Sequence, residues 1–154
     1  MMTLRKDITK PATKNMATNV LLDANIVLDF LLKRKDYEDV RKVMVLVVEK
    51  KITAFISASI LHIVSYWLTK SYGSAKSKDL LLLFLSDVRI IDANHEIVNV
   101  ALTSQIDDIE DALQYYTAIH HRMDFFISRD RKFQEQAFTV LPVRNVSEFL
   151  KLFS

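Results

Sequence analysis

Short apolar blocks alternate along the chain with longer stretches in which apolar residues recur every three or four positions. The blocks fall at 20–23, 54–57, 88–91, 125–128 and 139–143. The first and fourth are continuous rather than alternating, the pattern of strands covered on both faces. Between the blocks, Val40, Val43, Met44, Val47 and Val48 form one helical stripe, and Ile60, Leu61, Val64, Trp67 and Leu68 a second. Ile109, Ala112, Leu113, Tyr116, Ile119 and His120 form a third. Ser71-Tyr72-Gly73-Ser74 marks a break between helices. Residues 80–85 are apolar around the whole helix circumference, which predicts a helix buried on several sides, by its own domain or partly by another chain. Strands alternating with helices predict an α/β fold with a mostly parallel sheet and right-handed crossovers.

Composition agrees. The 154 residues suit one domain with a real core, and one Gly and two Pro favour regular elements over long loops. The absence of Cys excludes disulfides and thiolate metal sites. The longest apolar runs fall well short of the ~20 residues that cross a bilayer, and residues 1–15 lack the apolar stretch of a secretory signal. The expected setting is the cytoplasm, with no membrane partner. The formal charge of +2 is unevenly split. The first 15 residues carry four basic side chains against one acidic, leaving 17 against 18 in the rest. Bulk charge therefore does not announce a nucleic-acid binder. Residues 1–16 are expected to form a flexible tail, with Met16 an alternative start, and residues 17–154 the folded domain.

Three segments deliver acids where an apolar block meets a helix start. Asp23 follows the first block, Asp107, Asp108, Glu110 and Asp111 head the third stripe, and Asp130 follows the fourth block. The carboxyl ends of parallel strands share one sheet edge, so these acids converge in space. Clustered like charges are costly unless a cation sits among them, which points to a site for Mg²⁺ or Mn²⁺. Helix capping explains each acid taken alone. Asp23 suits a helix beginning near Asn25, and Asp130, or Ser128 in its place, a short helix. Asp107 with Glu110, or Asp108 with Asp111, has capping-box spacing. Capping accounts for one or two of the four acids heading the long helix, not for four. Asp108 and Asp111 share a face with Tyr115, away from the apolar stripe. Asp29 reaches either the site edge or only the backbone. His95, His120 and His121 show no metal-ligand or triad spacing, and no Gly-rich phosphate loop is present.

Four segments together resemble a PIN domain, the nuclease module of VapC-type toxins. They are Leu22-Asp23-Ala24-Asn25-Ile26-Val27-Leu28-Asp29, Ile56-Ser57-Ala58, Asp108-Ile109-Glu110-Asp111-Ala112-Leu113-Gln114 and Ile127-Ser128-Arg129-Asp130. The resemblance runs from about Asn19 to the C-terminus. It implies a three-layer α/β/α sandwich with a five-stranded sheet in order 3-2-1-4-5, and an endoribonuclease, the toxin of a toxin–antitoxin pair. One position departs from the family. Where an acid or amide is usual on the helix after the second strand, this chain has Ile63, with His62 beside it. An Ile offers no oxygen to a hard cation. A catalytically impaired PIN-like module that binds RNA or protein is therefore the alternative. A phosphatase with Asp23 as nucleophile is a third reading, weakened by Asn25 where a second acid is expected.

On the leading reading, Asp23 and Asp111 are the principal ligands of Mg²⁺ or Mn²⁺, with Asp130 a ligand directly or through water. Asp108 and Glu110 hold outer water or orient Asp111, Asn25 supports the Asp23 carboxylate, and Ser128 tunes Asp130. Arg129, with Arg131, Lys132 and Lys33-Arg34-Lys35, would face RNA phosphates, although ordinary solvated charge explains each separately. Exposed aromatics would stack on single-stranded RNA, with Tyr37, Tyr66 and Tyr115 in question. Expected partners are an RNA substrate, an antitoxin protein and a second copy in a homodimer.

Overall fold

A computed structural model describes residues 17–153. The segment expected to be a tail, 1–16, lies outside the described residues, as does Ser154. Five strands form one sheet: β1 (Thr18–Leu22), β2 (Ile52–Ser57), β3 (Val88–Ile91), β4 (Phe125–Ile127) and β5 (Val143–Arg144). Eight helices join or follow them: α1 (Ala24–Leu31), α2 (Tyr37–Val48), α3 (Ala58–Tyr72), α4 (Ser74–Phe84), α5 (His95–Leu102), α6 (Ile109–His120), α7 (Arg131–Gln136) and α8 (Val146–Lys151).

The sheet order is β3-β2-β1-β4-β5 and every neighbouring pair is parallel, as expected. β1 lies at the centre, with Val20 opposite Ala54 on one side and Phe125 on the other. Val20, Leu21 and Leu22 are all essentially inaccessible, which is why this strand reads as an unbroken apolar block. Right-handed crossovers decide where the helices go. The chain steps outward from β1 to β3 through α1–α4, then crosses back to β4 through α5 and α6. Opposite directions of travel place these two groups on opposite faces of the sheet. Asp23 and the residues after β4 thus flank the point where strand order reverses, the crevice in which open α/β sheets bind ligands.

Three details differ from the sequence reading. The fifth strand is Val143–Arg144 rather than 139–143. Pro142 has no N–H, and residues 138–141 turn instead, with the Leu141 N–H donating to the Phe138 carbonyl. The buried face of α6 is Ala112, Gln114, Tyr115, Thr117 and Ala118, while Ile109 is exposed. Tyr115 is therefore in the core and not on an outer face. Its hydroxyl donates to the Leu141 carbonyl (2.8 Å) and accepts the Phe138 N–H (2.7 Å), so the polar tip that hid its core role is satisfied by backbone. Finally, α4 is not buried all round: Phe84 enters the core but Leu82 and Leu83 are 71% and 70% exposed. Gly73, at φ 81°, makes the expected break between α3 and α4.

Candidate active site

Asp23 leaves β1 in extended conformation (φ −72°, ψ 158°) and caps α1. Its backbone N–H continues the β1–β4 pairing by donating to the Ile127 carbonyl (3.0 Å), so the carboxylate is fixed at the sheet edge. Oδ1 accepts the Ala24 N–H at 2.8 Å and Oδ2 accepts the Ser128 hydroxyl at 2.7 Å. Ser128 is completely buried, and its oxygen accepts the Asp130 N–H (3.2 Å). It joins Asp23 to the start of α7, where Asp130 Oδ1 caps by accepting the Phe133 N–H (3.2 Å). Asp108 caps α6, its Oδ1 accepting the Asp111 N–H at 2.9 Å. Asp107 lies outside this arrangement, 3.3 Å from Lys132 Nζ. Asn25 is exposed on the first turn of α1, and the Asp23 oxygens are engaged by Ala24 and Ser128 rather than by it.

Asp23, Asp108 and Asp130 all cap helices, and each of these caps uses a single carboxylate oxygen. Their mutual electrostatics carry a second message. The Asp111 carboxyl is pushed up to about 7, first by burial and then by repulsion from Asp108, Asp23, Asp130 and Glu110. Glu110 is raised by partial removal from water, then by Asp108 and Asp23. Asp23 is raised by burial and by Asp130, against the lowering effect of the hydrogen bonds from Ser128 and Ala24. Acids from three distant segments therefore sense one another across the sheet edge. Among the described residues no group of three or more His, Asp or Glu side chains is placed to hold a metal ion together. The chemistry of the donors still fits a hard divalent ion. They are all carboxylate or hydroxyl oxygens, and their repulsion is what such an ion relieves. Ile63 is half-buried against the core and His62 beside it is exposed, so that helix brings no oxygen at this position.

Two polar groupings next to the acids escaped the sequence reading. Ser57 caps α3 and its hydroxyl donates to Gln114 Oε1, while Gln114 Nε2 donates to Ser59. This buried network pins α6 to the β2–α3 corner one turn beyond Asp111. The signal available was an amide in the buried register of a helix, which must find a partner. The other grouping centres on Asp29, only 1% exposed. Arg129 Nη1 lies 2.9 Å from Asp29 Oδ2 and 3.6 Å from Asp36 Oδ2, and Arg34 Nη1 is 3.8 Å from Asp29 Oδ1. Burial raises the Asp29 carboxyl even so, against the opposing pull of Arg129 and Arg34. As placed, Arg129 serves this ion pair and ties the Ser128–Asp130 turn to α1.

The PIN-domain family model matches residues 19–132. The chain belongs to the PIN-domain family, a family of nucleases. No curated protein matches the sequence. Several solved structures share the fold. VapBC2 from Rickettsia felis bound to promoter DNA superposes with a TM-score of 0.63 at 21% identity, over 83% of this chain and 98% of that one. A toxin–antitoxin complex from Klebsiella pneumoniae gives 0.61 at 20% identity, over 79% and 94%. VapC20 from Mycobacterium tuberculosis, a sarcin–ricin loop cleaving toxin, gives 0.62 at 13% identity, over 80% and 98%. At these identities the likeness is one of fold.

Proposed function

We propose that this protein is a divalent-metal-dependent endoribonuclease, the toxin of a toxin–antitoxin pair. One arrangement carries the reading: Asp23 at the end of β1 and Asp130 after β4 are joined through Ser128 beside the head of α6, where burial first and then repulsion from Asp108, Asp23, Asp130 and Glu110 push the Asp111 carboxyl up to about 7. A structural role asks each of these acids to cap its own helix and gives no reason for the caps to repel one another. Asp23 and Asp111 are the principal holders of Mg²⁺ or Mn²⁺, with Asp130 and Asp108 beside them and Glu110 orienting Asp111. When bound, such an ion lowers the pKa of its water and takes up charge on phosphate oxygens. Ser128 fixes the Asp23 carboxylate in one orientation through its hydroxyl, so little rearrangement is needed on loading. RNA as substrate and an antitoxin as partner rest on the likeness to toxin–antitoxin complexes and to a toxin that cleaves the sarcin–ricin loop. Homodimerisation and a cytoplasmic setting belong to the same reading. Among the described residues no helix is long and apolar enough to cross a membrane.

Ile63 favours one competing reading, a PIN-like module that binds without cutting. The test is single-stranded RNA incubated with the purified chain in Mg²⁺, Mn²⁺ or EDTA. The proposal expects cleavage that needs the metal and is lost in Asp23→Asn and Asp111→Asn. Equal degradation by wild type and both variants overturns it. RNA bound but left intact in either metal decides for the binding module.

A further inference from the structure

We infer that the outward face of α3 is a single-stranded RNA track leading away from the acidic site, with Tyr66 and Trp67 stacking bases and Lys70 meeting phosphate. The inference rests on the reading that the chain acts on RNA. Ser59, Tyr66 and Lys70 recur at helical spacing on one side of α3, exposed on either side of the half-buried Ile63, with Trp67 on the flank. The face begins at the site, since Ser59 accepts a hydrogen bond from Gln114 one turn beyond Asp111. Tyr66 lies about 10 Å further along, at about 1.5 Å per residue. Tyr66 and Trp67 are 54% and 45% exposed, large aromatic surfaces that a folded chain ordinarily covers. Their rings meet edge to face at 5.2 Å, and both side chains remain exposed to solvent in that arrangement. Lys70 Nζ stands 5.2 Å from the Tyr66 ring and 5.6 Å from the Trp67 ring.

Beyond Lys70 and the Gly73 break, α4 carries Lys76 and Lys78 against Asp79, and Lys76 Nζ lies 4.4 Å over the Tyr72 ring. Exposed aromatics and Lys70 thus follow one another along α3 from the corner bonded to α6, and Lys76 and Lys78 continue the basic surface on α4. Aromatic faces beside cations suit unpaired bases on a phosphate backbone, because every base has a stacking face and every linkage a charge. The lysines interleaved with the rings favour a phosphate-bearing partner over a purely apolar one. Of the tyrosines singled out from the sequence, Tyr115 is buried and Tyr37 stacks on Phe30 at 5.7 Å, so neither competes with Tyr66.

Trp67 is the chain's only tryptophan and reports on the track directly. The experiment titrates a short uridine-rich single-stranded RNA into the full chain carrying Asp23→Asn and Asp111→Asn, which cuts nothing and needs no cation to offset its acids. The expected result is quenching of Trp67 fluorescence. Adding Tyr66→Ala with Lys70→Ala should weaken affinity by about tenfold or more without lowering the melting temperature. Lys70→Ala alone should reduce the slope of log affinity against log salt by about 0.7. Unchanged affinity in the stable Tyr66→Ala, Lys70→Ala chain overturns the inference, as does equal binding of the same sequence as a duplex. A Trp67 signal that changes with protein concentration in the absence of RNA also overturns it, because a second copy then covers the face. If RNA binds the track but the wild-type chain never cuts it, the nuclease reading fails and the track stands. If cutting persists without quenching, the track alone fails.

Discussion

Replacing Asp111 with Asn should stabilise the metal-free protein at neutral and alkaline pH. An unfolded Asp titrates near 3.8, whereas the folded Asp111 carboxyl is held near 7. Below the unfolded value both states carry the proton and nothing is gained or lost. Between the two values the folded state keeps a proton that the unfolded state releases, so stability falls as pH rises. Above 7 the full penalty of an ionised Asp111 is present. A separation of about three pH units corresponds to about 4 kcal/mol at most. Solvent reaching the rim of the site screens that to about 1–2 kcal/mol. Losing a carboxylate from the first turn of α6 costs about 0.5 kcal/mol of helix-dipole interaction, so relief of repulsion wins. The capping bond to the Asp111 backbone N–H is untouched by the change. For a chain of this size the net gain raises the melting temperature by about 2–5 °C. Melting curves in EDTA at pH 5 and pH 8, for wild type and variant, read this directly. The gap should open at pH 8 and shrink toward pH 5, and millimolar Mn²⁺ should raise the wild type more than the variant. A variant no more stable than wild type at pH 8, or a gap independent of pH, would refute the idea that these carboxylates repel one another.

Two further outcomes follow from buried polar groups. Arg129→Ala leaves Asp29 buried against Arg34 alone and should cost about 3 kcal/mol in urea unfolding. Adding Asp29→Asn removes the stranded charge and should recover part of that loss, and a double variant less stable than the single one would contradict this account. Tyr115→Phe removes both bonds that anchor the 138–141 turn and should cost about 1–2 kcal/mol. An unchanged urea midpoint would show that water replaces the hydroxyl there.

The central strands were legible because burial on both faces writes a continuous apolar block, as at 20–22 and 125–127. β5 was not, since a strand of only two residues, Val143–Arg144, has no period to detect and Pro142 shifts its start. The core face of α6 was misread for a physical reason. Tyr115, Gln114 and Thr117 are polar by type but satisfied inside, while Ile109 is apolar but exposed. The apolar run at 80–85 misled in the opposite sense, since two of its leucines face water. Within the site the acids could be found from the strand–helix junctions alone. The pairing of Asp29 with Arg129 could not, because its members are 100 residues apart and meet only once β1 and β4 lie side by side.

The same carboxylates that crowd the pocket also terminate the loops leading into α1, α6 and α7. An alanine at Asp23, Asp108 or Asp130 therefore removes a helix cap together with a proposed metal ligand, and a dead protein obtained that way says little about chemistry. Asparagine caps about as well as aspartate. One such replacement should silence the proposed site while leaving the scaffold standing. On the proposed reading, cutting and folding thus separate at a single atom pair: exchanging a carboxylate oxygen for an amide nitrogen would end the first and leave every helix start in place.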